Sequence, residues 1–156
     1  MVTRLHFLAV ALLAMVLSAC ASAPSRAPEP RPPGTGRVEV TMTGFKSEGG
    51  QARIALFLDE RGWPDGEEFV FATSVVPIRE GQAVAEFKGV PAGPFAVSVF
   101  HDEDVNGKLD SDLLGIPSED YGFSADARDM FGPPSFEEAR LELAAGESKQ
   151  ITVQVK

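Results

Sequence analysis

The chain is poor in the residues that form disulfides and bind transition metals. It has one cysteine, Cys20, and two histidines, His6 and His101, among its 156 residues. A single cysteine cannot form an internal disulfide, so packing must stabilise the fold, with or without a bound metal. If an N-terminal segment is removed, His101 is the only histidine left. A zinc site is therefore hard to build from this sequence.

Positive charge is also scarce. The chain has 14 lysines and arginines against 23 aspartates and glutamates, which gives a net charge of −9. The first nineteen residues hold one cation, Arg4, and no acid, so the remainder is more acidic still. Such a surface repels a phosphate backbone, and nucleic acid is not expected as a partner.

The N-terminal apolar run is too short to cross a membrane. It follows Arg4 and covers Leu5–Leu17, whereas a spanning helix needs about 20 apolar residues. A positive start, a short apolar middle and small residues before a cleavage point are typical of an export signal. The sequence Leu17-Ser18-Ala19-Cys20 resembles the bacterial lipobox. This resemblance implies removal of residues 1–19 and attachment of lipid, including palmitate, to Cys20; the alternative is an ordinary cleaved signal with an unrelated cysteine.

The lipobox resemblance also implies a cellular location. The protein is expected in the bacterial cell envelope, anchored to the membrane by lipid, and Ala21 after the cysteine favours the outer membrane, facing the periplasm. Residues 20–36 then form a spacer that is rich in proline, at Pro24, Pro28, Pro30, Pro32 and Pro33. Proline at this density favours an extended conformation of up to roughly 50 Å. A ligand for a proline-recognising module is the alternative.

From residue 37 to residue 156 the pattern is that of a β domain. Val38, Val40 and Met42 alternate with polar residues, as in a half-buried strand. Strands are predicted at 38–43, 52–58, 69–78, 83–88, 95–100, 140–143 and 150–155, and the second is apolar on both faces, like a central strand. We predict an all-β fold, an antiparallel β-sandwich of about seven strands that is immunoglobulin-like or transthyretin-like. A small closed barrel is the alternative.

A long loop excursion separates the fifth and sixth predicted strands. Residues 113–138 show no strand pattern, and loops of this length are usually functional or ordered by other means. Residues 135–139 are predicted to form a single helical turn. The aromatic content of the excursion predicts that it folds over one edge of the sandwich.

An acidic loop precedes this excursion. Residues 101–112 read His-Asp-Glu-Asp-Val-Asn-Gly-Lys-Leu-Asp-Ser-Asp. Oxygen-bearing side chains recur at every second position and Gly107 follows, as in the calcium loop of an EF-hand. We predict a structural Ca²⁺ site, with Mg²⁺ as the less favoured ion. Its predicted ligands are Asp102, Asp104, Asn106, the backbone carbonyl of Lys108, Asp110 and Asp112.

The loop departs from an EF-hand in two respects. Leu113 stands where the bidentate glutamate is needed, and a strand enters where a helix is needed. Asp112, or a carboxylate that returns from the excursion such as Glu119 or Asp120, is expected to complete the shell. A solvated acidic turn with no bound ion is the alternative, since Asn-Gly is common in hairpins.

No catalytic constellation is predicted. His101 is expected to hydrogen-bond the loop; a triad with Ser124 and Asp126 lacks the Gly-x-Ser-x-Gly elbow that would position a nucleophile. A set of aromatic residues forms either interior cover or a sugar-stacking platform, and cover is favoured because a small domain needs its aromatics inside. The set is Trp63, Phe69, Tyr121, Phe123 and Phe131.

Four stretches resemble an exported bacterial family, domain of unknown function 2141. They are residues 90–97, 101–110, 115–124 and 133–139, and the resemblance extends over roughly residues 37–155. It implies a secreted β-sandwich with no established activity. In two places the sequence departs from the family: Asp104 stands where asparagine is usual, and Asp120 replaces the glycine before Tyr121.

These observations predict a non-catalytic binding or scaffolding module of the envelope, with a calcium-stabilised β-sandwich. Its expected partners are the membrane, through Cys20, and another envelope protein or glycan. The alternatives are a metal-dependent hydrolase, with the acidic loop holding a catalytic ion, and a carbohydrate-binding protein.

Overall fold

The computed structural model describes residues 34–129 and 132–156. The predicted signal peptide, Cys20 and the spacer as far as residue 33 lie outside the described residues, as does Phe131. The last two residues of the predicted spacer, Thr35 and Gly36, belong to the first strand. Within the described ranges, no helix has the length and hydropathy needed to cross a membrane.

Eight strands, one short α-helix and two 3₁₀ turns, at Glu67–Phe69 and Ser124–Asp126, make up the described fold. The strands are β1 (Thr35–Thr43), β2 (Gln51–Phe57), β3 (Ala72–Val76), β4 (Gln82–Pro91), β5 (Gly93–Asp102), β6 (Tyr121–Phe123), β7 (Leu141–Leu143) and β8 (Ser148–Gln154). The helix α1 covers Phe136–Ala139, and Ser135 caps it by accepting a hydrogen bond from the Glu138 amide while the Glu138 carboxylate returns to the Ser135 amide. This reciprocal cap confirms the predicted helical turn.

Two sheets form the predicted β-sandwich. One has three strands in the order β4-β1-β8, and the other has five, in the order β3-β2-β5-β6 with β7 beside β5. The all-β prediction is confirmed, and β2 is the internal strand that its apolar faces predicted. The long excursion follows the fifth strand, as predicted.

Two details of the predicted sandwich were wrong. The strand β6 was missed, because three residues are too few to show an alternating pattern; it exists because Ser98–Phe100 of β5 offers it a free edge. The strands β1 and β8 run parallel, from Arg37↔Ser148 to Thr43↔Gln154. Alternation shows which residues face inward but not the direction of a neighbouring strand.

The core lies between the two sheets. Alternate residues of β1, β2 and β4 are buried, for example Val38, Val40 and Met42 in β1, and Val97 and Val99 of β5 are buried with them. They contact one another in a single cluster that includes residues of β1, β2, β4, β5 and β8. Burial of these side chains stabilises the fold by roughly 1.5–3 kcal/mol each.

The outer face of the five-stranded sheet has a cover of its own. Trp63 lies between Phe57, Phe123 and Phe136, with ring centroids 5.4, 5.6 and 5.9 Å away. Its Nε1 donates a hydrogen bond of 2.8 Å to the carbonyl of Pro134. Trp63 and Phe123 therefore belong to interior cover, whereas Phe69 is 44% exposed.

The return of the excursion is fixed by the end of the chain. The backbone of Tyr121 exchanges two hydrogen bonds with the backbone of Lys156, which lies two residues after the end of β8. Gly122 lies so close to β8 that an added Cβ would overlap the carbonyl oxygen of Gln154. This contact places Glu119 and Asp120, just before β6, against the end of β5.

Candidate metal centre

The acidic loop begins where β5 ends, between two neighbouring strands. His101 and Asp102 are the last residues of β5, and both are 0% exposed. The register pairs them with Ala52 and Gln51 of β2, and the amide of His101 donates to the carbonyl of Asp120. Two polar side chains are thus buried at the end of an internal strand, where each needs polar partners.

Asp102 obtains its partners from β2 and from the loop. Gln51 Nε2 donates to Oδ2 at 2.8 Å, the Gly107 amide lies 3.2 and 3.3 Å from the two oxygens, and Arg53 Nη1 is 3.6 Å from Oδ2. Burial by itself would raise the pKa of Asp102, but the hydrogen bonds from Gln51, Gly107 and Asn106 and the charge of Arg53 lower it overall. Asp102 is therefore a buried carboxylate at neutral pH.

Glu119 joins the two ends of the loop. It is 8% exposed, and its Oε1 and Oε2 accept hydrogen bonds from the amides of Glu103 (2.8 Å) and Asp110 (3.0 Å). One carboxylate oxygen from each of Asp102, Asp104 and Glu119 lies within 4.8 Å of the other two. Calcium binds oxygens at about 2.3–2.6 Å, so two of its ligands can be up to roughly 5 Å apart. The spacing of these three oxygens fits a calcium ion, and we call them the oxygen cluster.

The central part of the loop is held together by Asn106. Its Nδ2 donates to Asp104 Oδ2 at 3.0 Å and to Asp110 Oδ1 at 3.1 Å. Its Oδ1 accepts a hydrogen bond of 2.7 Å from the Lys108 amide. The sequence-predicted residues Asp104, Asn106, Lys108 and Asp110 therefore lie together. A rotation of the Asn106 amide would exchange its NH₂ for its oxygen beside the two carboxylates.

Asp112 lies apart from the oxygen cluster. Its Oδ1 accepts hydrogen bonds from the amides of Leu114 (2.8 Å) and Ile116 (3.0 Å), which close a separate turn at the tip of the loop. Asp112 is not one of the three residues of the oxygen cluster. Glu119, one of the three residues that the sequence offered to complete the shell, is in the cluster.

The sequence comparisons bear on this same region. The profile of a bacterial family described as uncharacterized protein conserved in bacteria (DUF2141) matches residues 40–152. The chain belongs to this family. The match confirms the resemblance given by the four stretches, and it contains every residue of the acidic loop and of the oxygen cluster. No curated protein matches this DUF2141 chain.

One solved structure similar to this DUF2141 chain is a pilus-presented adhesin (Cpa). The identity is 11% and the TM-score 0.20, and the match covers 79% of this chain and 27% of the adhesin chain. The chain thus spans about a quarter of the adhesin.

Two left-handed residues shape the loop of this DUF2141 member. Gly107 has a φ of 83°, as expected for the glycine that turns an EF-like loop, and Val105 has a φ of 63°. A β-branched residue in this conformation costs about 1–2 kcal/mol. The hydrogen bonds around Asp102 and Asn106 offset that strain by fixing the residues on either side.

Sequence reasoning missed the residues of the DUF2141 chain that support the loop from β2. Gln51 and Arg53 contact Asp102, and Gly50 lies so close that an added Cβ would overlap the Asp102 carbonyl oxygen. Spacing along the sequence cannot show that β2 pairs with β5. Only that pairing brings Gln51 and Arg53 next to Asp102, so the sequence alone could not identify them.

Two cavities of the DUF2141 chain lie elsewhere. One of about 330 Å³ is lined by residues at the ends of β1, β4 and β8, among them Arg37, Lys88 and Glu147. A second of about 70 Å³ lies beside Tyr121, Phe123 and Arg128. Neither cavity is lined by a residue of the acidic loop or of the oxygen cluster.

Proposed function

We propose that the protein is a non-catalytic binding or scaffolding module of the bacterial cell envelope, whose β-sandwich is stabilised by Ca²⁺ at the acidic loop. The observation that carries the proposal is the oxygen cluster of Asp102, Asp104 and Glu119, all within 4.8 Å of one another. These oxygens come from the end of β5, from the loop and from the segment that returns to β6. An ion bound by all three would join the loop at both of its ends.

The chemistry of this cluster favours calcium. Its donors are all oxygens, and calcium takes six to eight such ligands in a flexible arrangement. Asp102 and Glu119 are 0% and 8% exposed, so their mutual repulsion is screened less than that of surface acids. Asn106 and Asp110 stand next to Asp104 and offer further oxygens. We expect a weak site, with a Kd on the order of 0.1–1 mM, as in extracellular calcium modules.

The tip of the loop offers the surface for a partner. Leu113, Leu114 and Ile116 are 105%, 84% and 58% exposed, and soluble domains rarely leave neighbouring apolar side chains so open without a use. Calcium would fix the direction in which this tip points. A partner in the same envelope, protein or glycan, would contact it.

Calcium is expected to raise the melting temperature. At about 10 mM calcium, a Kd of 0.1–1 mM corresponds to roughly 1.5–3 kcal/mol of added stability and about 5–10 °C. Melting of the purified protein in calcium and in EGTA, followed by circular dichroism, measures this. Asp104→Asn should abolish the increase. Asp112→Asn is the matched control and should keep it, because Asp112 is engaged in its own turn.

Magnesium at the same concentration should give a smaller increase, since it requires stricter octahedral geometry. Identical melting curves in calcium and in EGTA would contradict the calcium part of the proposal. So would an increase that survives in Asp104→Asn.

The tether part of the proposal rests on Cys20 and the signal before it. Expressed in a bacterium fed tritiated palmitate, the protein should incorporate label and sediment with membranes. Cys20→Ser should lose both the label and the membrane association, because the thiol and the new amino terminus are the acylated groups. A wild-type protein without label, or a Cys20→Ser variant that is still labelled, would show that Cys20 is not the site of lipid attachment.

A further inference from the structure

We propose that His101, Glu103 and Asp120 form a second metal site, which binds a first-row transition-metal dication such as Zn²⁺. The site is separate from the oxygen cluster. His101 and Asp102 are successive residues of β5, so their side chains point to opposite faces. Glu103 groups with His101, whereas Asp104 groups with Asp102. Asp120 belongs to the group of His101, and Glu119 belongs to the oxygen cluster.

The three residues bring their donor atoms together. A ring nitrogen of His101 and one carboxylate oxygen from each of Glu103 and Asp120 lie within 4.8 Å of one another. The Nδ1 of His101 is 3.5 Å from Glu103 Oε1. Zinc–nitrogen and zinc–oxygen distances are about 2.0–2.2 Å. Atoms at this spacing need only small side-chain rotations to contact one ion.

Two buried polar atoms in the group have no hydrogen-bond partner within residues 34–129 and 132–156. They are His101 Nδ1 and Asp120 Oδ2, on side chains that are 0% and 2% exposed. Buried polar side-chain atoms nearly always have a partner, so each such atom requires an explanation. A metal ion between them would satisfy both.

The other ring nitrogen of His101 sets the tautomer. Nε2 lies 2.7 Å from the carbonyl oxygen of Gly49, and because a carbonyl only accepts, Nε2 must carry the proton. In the neutral ring Nδ1 then has a free lone pair that faces two carboxylates. The lone pair and the carboxylate oxygens repel one another unless a cation lies between them. Metal-binding histidines usually hold their second nitrogen in just this way, by donating to a carbonyl or carboxylate.

The donor set determines which metals fit. One imidazole nitrogen and two carboxylates suit zinc and its neighbours, whereas calcium prefers oxygen alone. Three protein ligands would leave a position for water. The scarcity of cysteine and histidine led us to expect no zinc site, but one imidazole and two carboxylates already supply three ligands of the kinds that zinc takes.

Lys46 is the competitor for this site. Its ammonium group forms an ion pair with Asp120 Oδ1, while its side chain is 70% exposed. The hydrogen bond and charge of Asp120, and then the charge of Glu103, raise the pKa of Lys46. A metal must displace this ammonium from Asp120, so removal of Lys46 should strengthen binding.

The test is calorimetric titration of the full chain with zinc in about 10 mM calcium, so that the oxygen cluster is exposed to its own ion. A Cys20→Ser background prevents zinc from binding the thiol. We expect one zinc per chain. Glu103→Gln, chosen because Glu103 is half-exposed and safe to replace, should weaken zinc binding about tenfold or more, and Lys46→Gln should strengthen it several-fold. Asp104→Asn, which alters only the oxygen cluster, should leave zinc affinity within about twofold.

Cobalt absorption and the ¹⁵N shift of His101 provide readouts at the site itself. Visible cobalt bands together with a change at Nδ1, both lost in Glu103→Gln, would support the proposal. Zinc binding that Asp104→Asn abolishes and Glu103→Gln spares would overturn it, because the ion would then lie in the oxygen cluster. Absence of zinc binding in both the parent and Lys46→Gln would also overturn it, and would indicate that a proton on Nδ1 satisfies the group. The calcium response is measured separately, so either proposal can fail alone.

Discussion

Replacement of Asp102 by alanine is expected to lower the free energy of unfolding by about 3 kcal/mol, even when calcium is chelated. The side chain is fully buried, and its loss leaves Gln51, the Gly107 amide and Arg53 without their acceptor. The Arg53 side chain is 34% exposed, so most of the loss comes from the two neutral donors. Urea denaturation in EGTA measures the change.

Asp112→Ala is the matched control for this prediction. Asp112 is an exposed acid of the same loop whose hydrogen bonds are confined to its own turn, and its replacement should cost about 1 kcal/mol or less. Equal losses for the two variants would show that Asp102 is no more structural than a surface acid.

The effect of Asp102 depends on pH in a defined direction. Its folded-state pKa lies below the usual value, so its contribution is present above the unfolded pKa of about 4 and is lost as the pH falls through the lower folded value. The difference in stability between the wild type and Asp102→Ala should therefore be constant near neutrality and narrow at pH values below about 4.

Replacement of Trp63 by alanine is expected to cost about 3–4 kcal/mol. Trp63 contacts three aromatic rings and donates to the Pro134 carbonyl, so it joins the outer face of the sheet to the segment before α1. Trp63→Phe should retain much of this packing. Chemical denaturation of both variants measures the difference.

Phe69→Ala serves as the control. Because Phe69 is 44% exposed, its replacement should lower the free energy of unfolding by less than about 1 kcal/mol. A Trp63→Ala protein as stable as the wild type would contradict the role of Trp63 as cover. It would favour the alternative in which the ring is held for a ligand such as a sugar.

The sequence predicted the layers of the fold but not all of its pairings. Strict alternation at Val38, Val40 and Met42 identified a strand with one buried face, and the apolar run before Asp59 identified an internal strand. Alternation carries no information about direction, so the parallel pairing of β1 with β8 was not foreseen. The three residues of β6 are a strand only because β5 has an unpaired edge beside them.

The candidate site was predicted in part for a related reason. Spacing within one segment identified Asp102, Asp104, Asn106 and Asp110, because their side chains depend on local chain geometry. It could not identify Gln51 and Arg53, which come from a strand distant in sequence. Nor could it separate His101, Glu103 and Asp120 from the oxygen cluster, since that division follows from the alternation at the end of β5 and the return of the chain to β6.

The central claim is that Asp102, Asp104 and Glu119 hold a divalent ion that fixes the loop. A crystal structure of the protein grown in about 10 mM calcium tests it most directly. The account predicts an anomalous peak among these three residues with oxygen distances of about 2.3–2.6 Å. A loop that in the same crystals turns its carboxylates toward solvent, with no such peak between them, would contradict it.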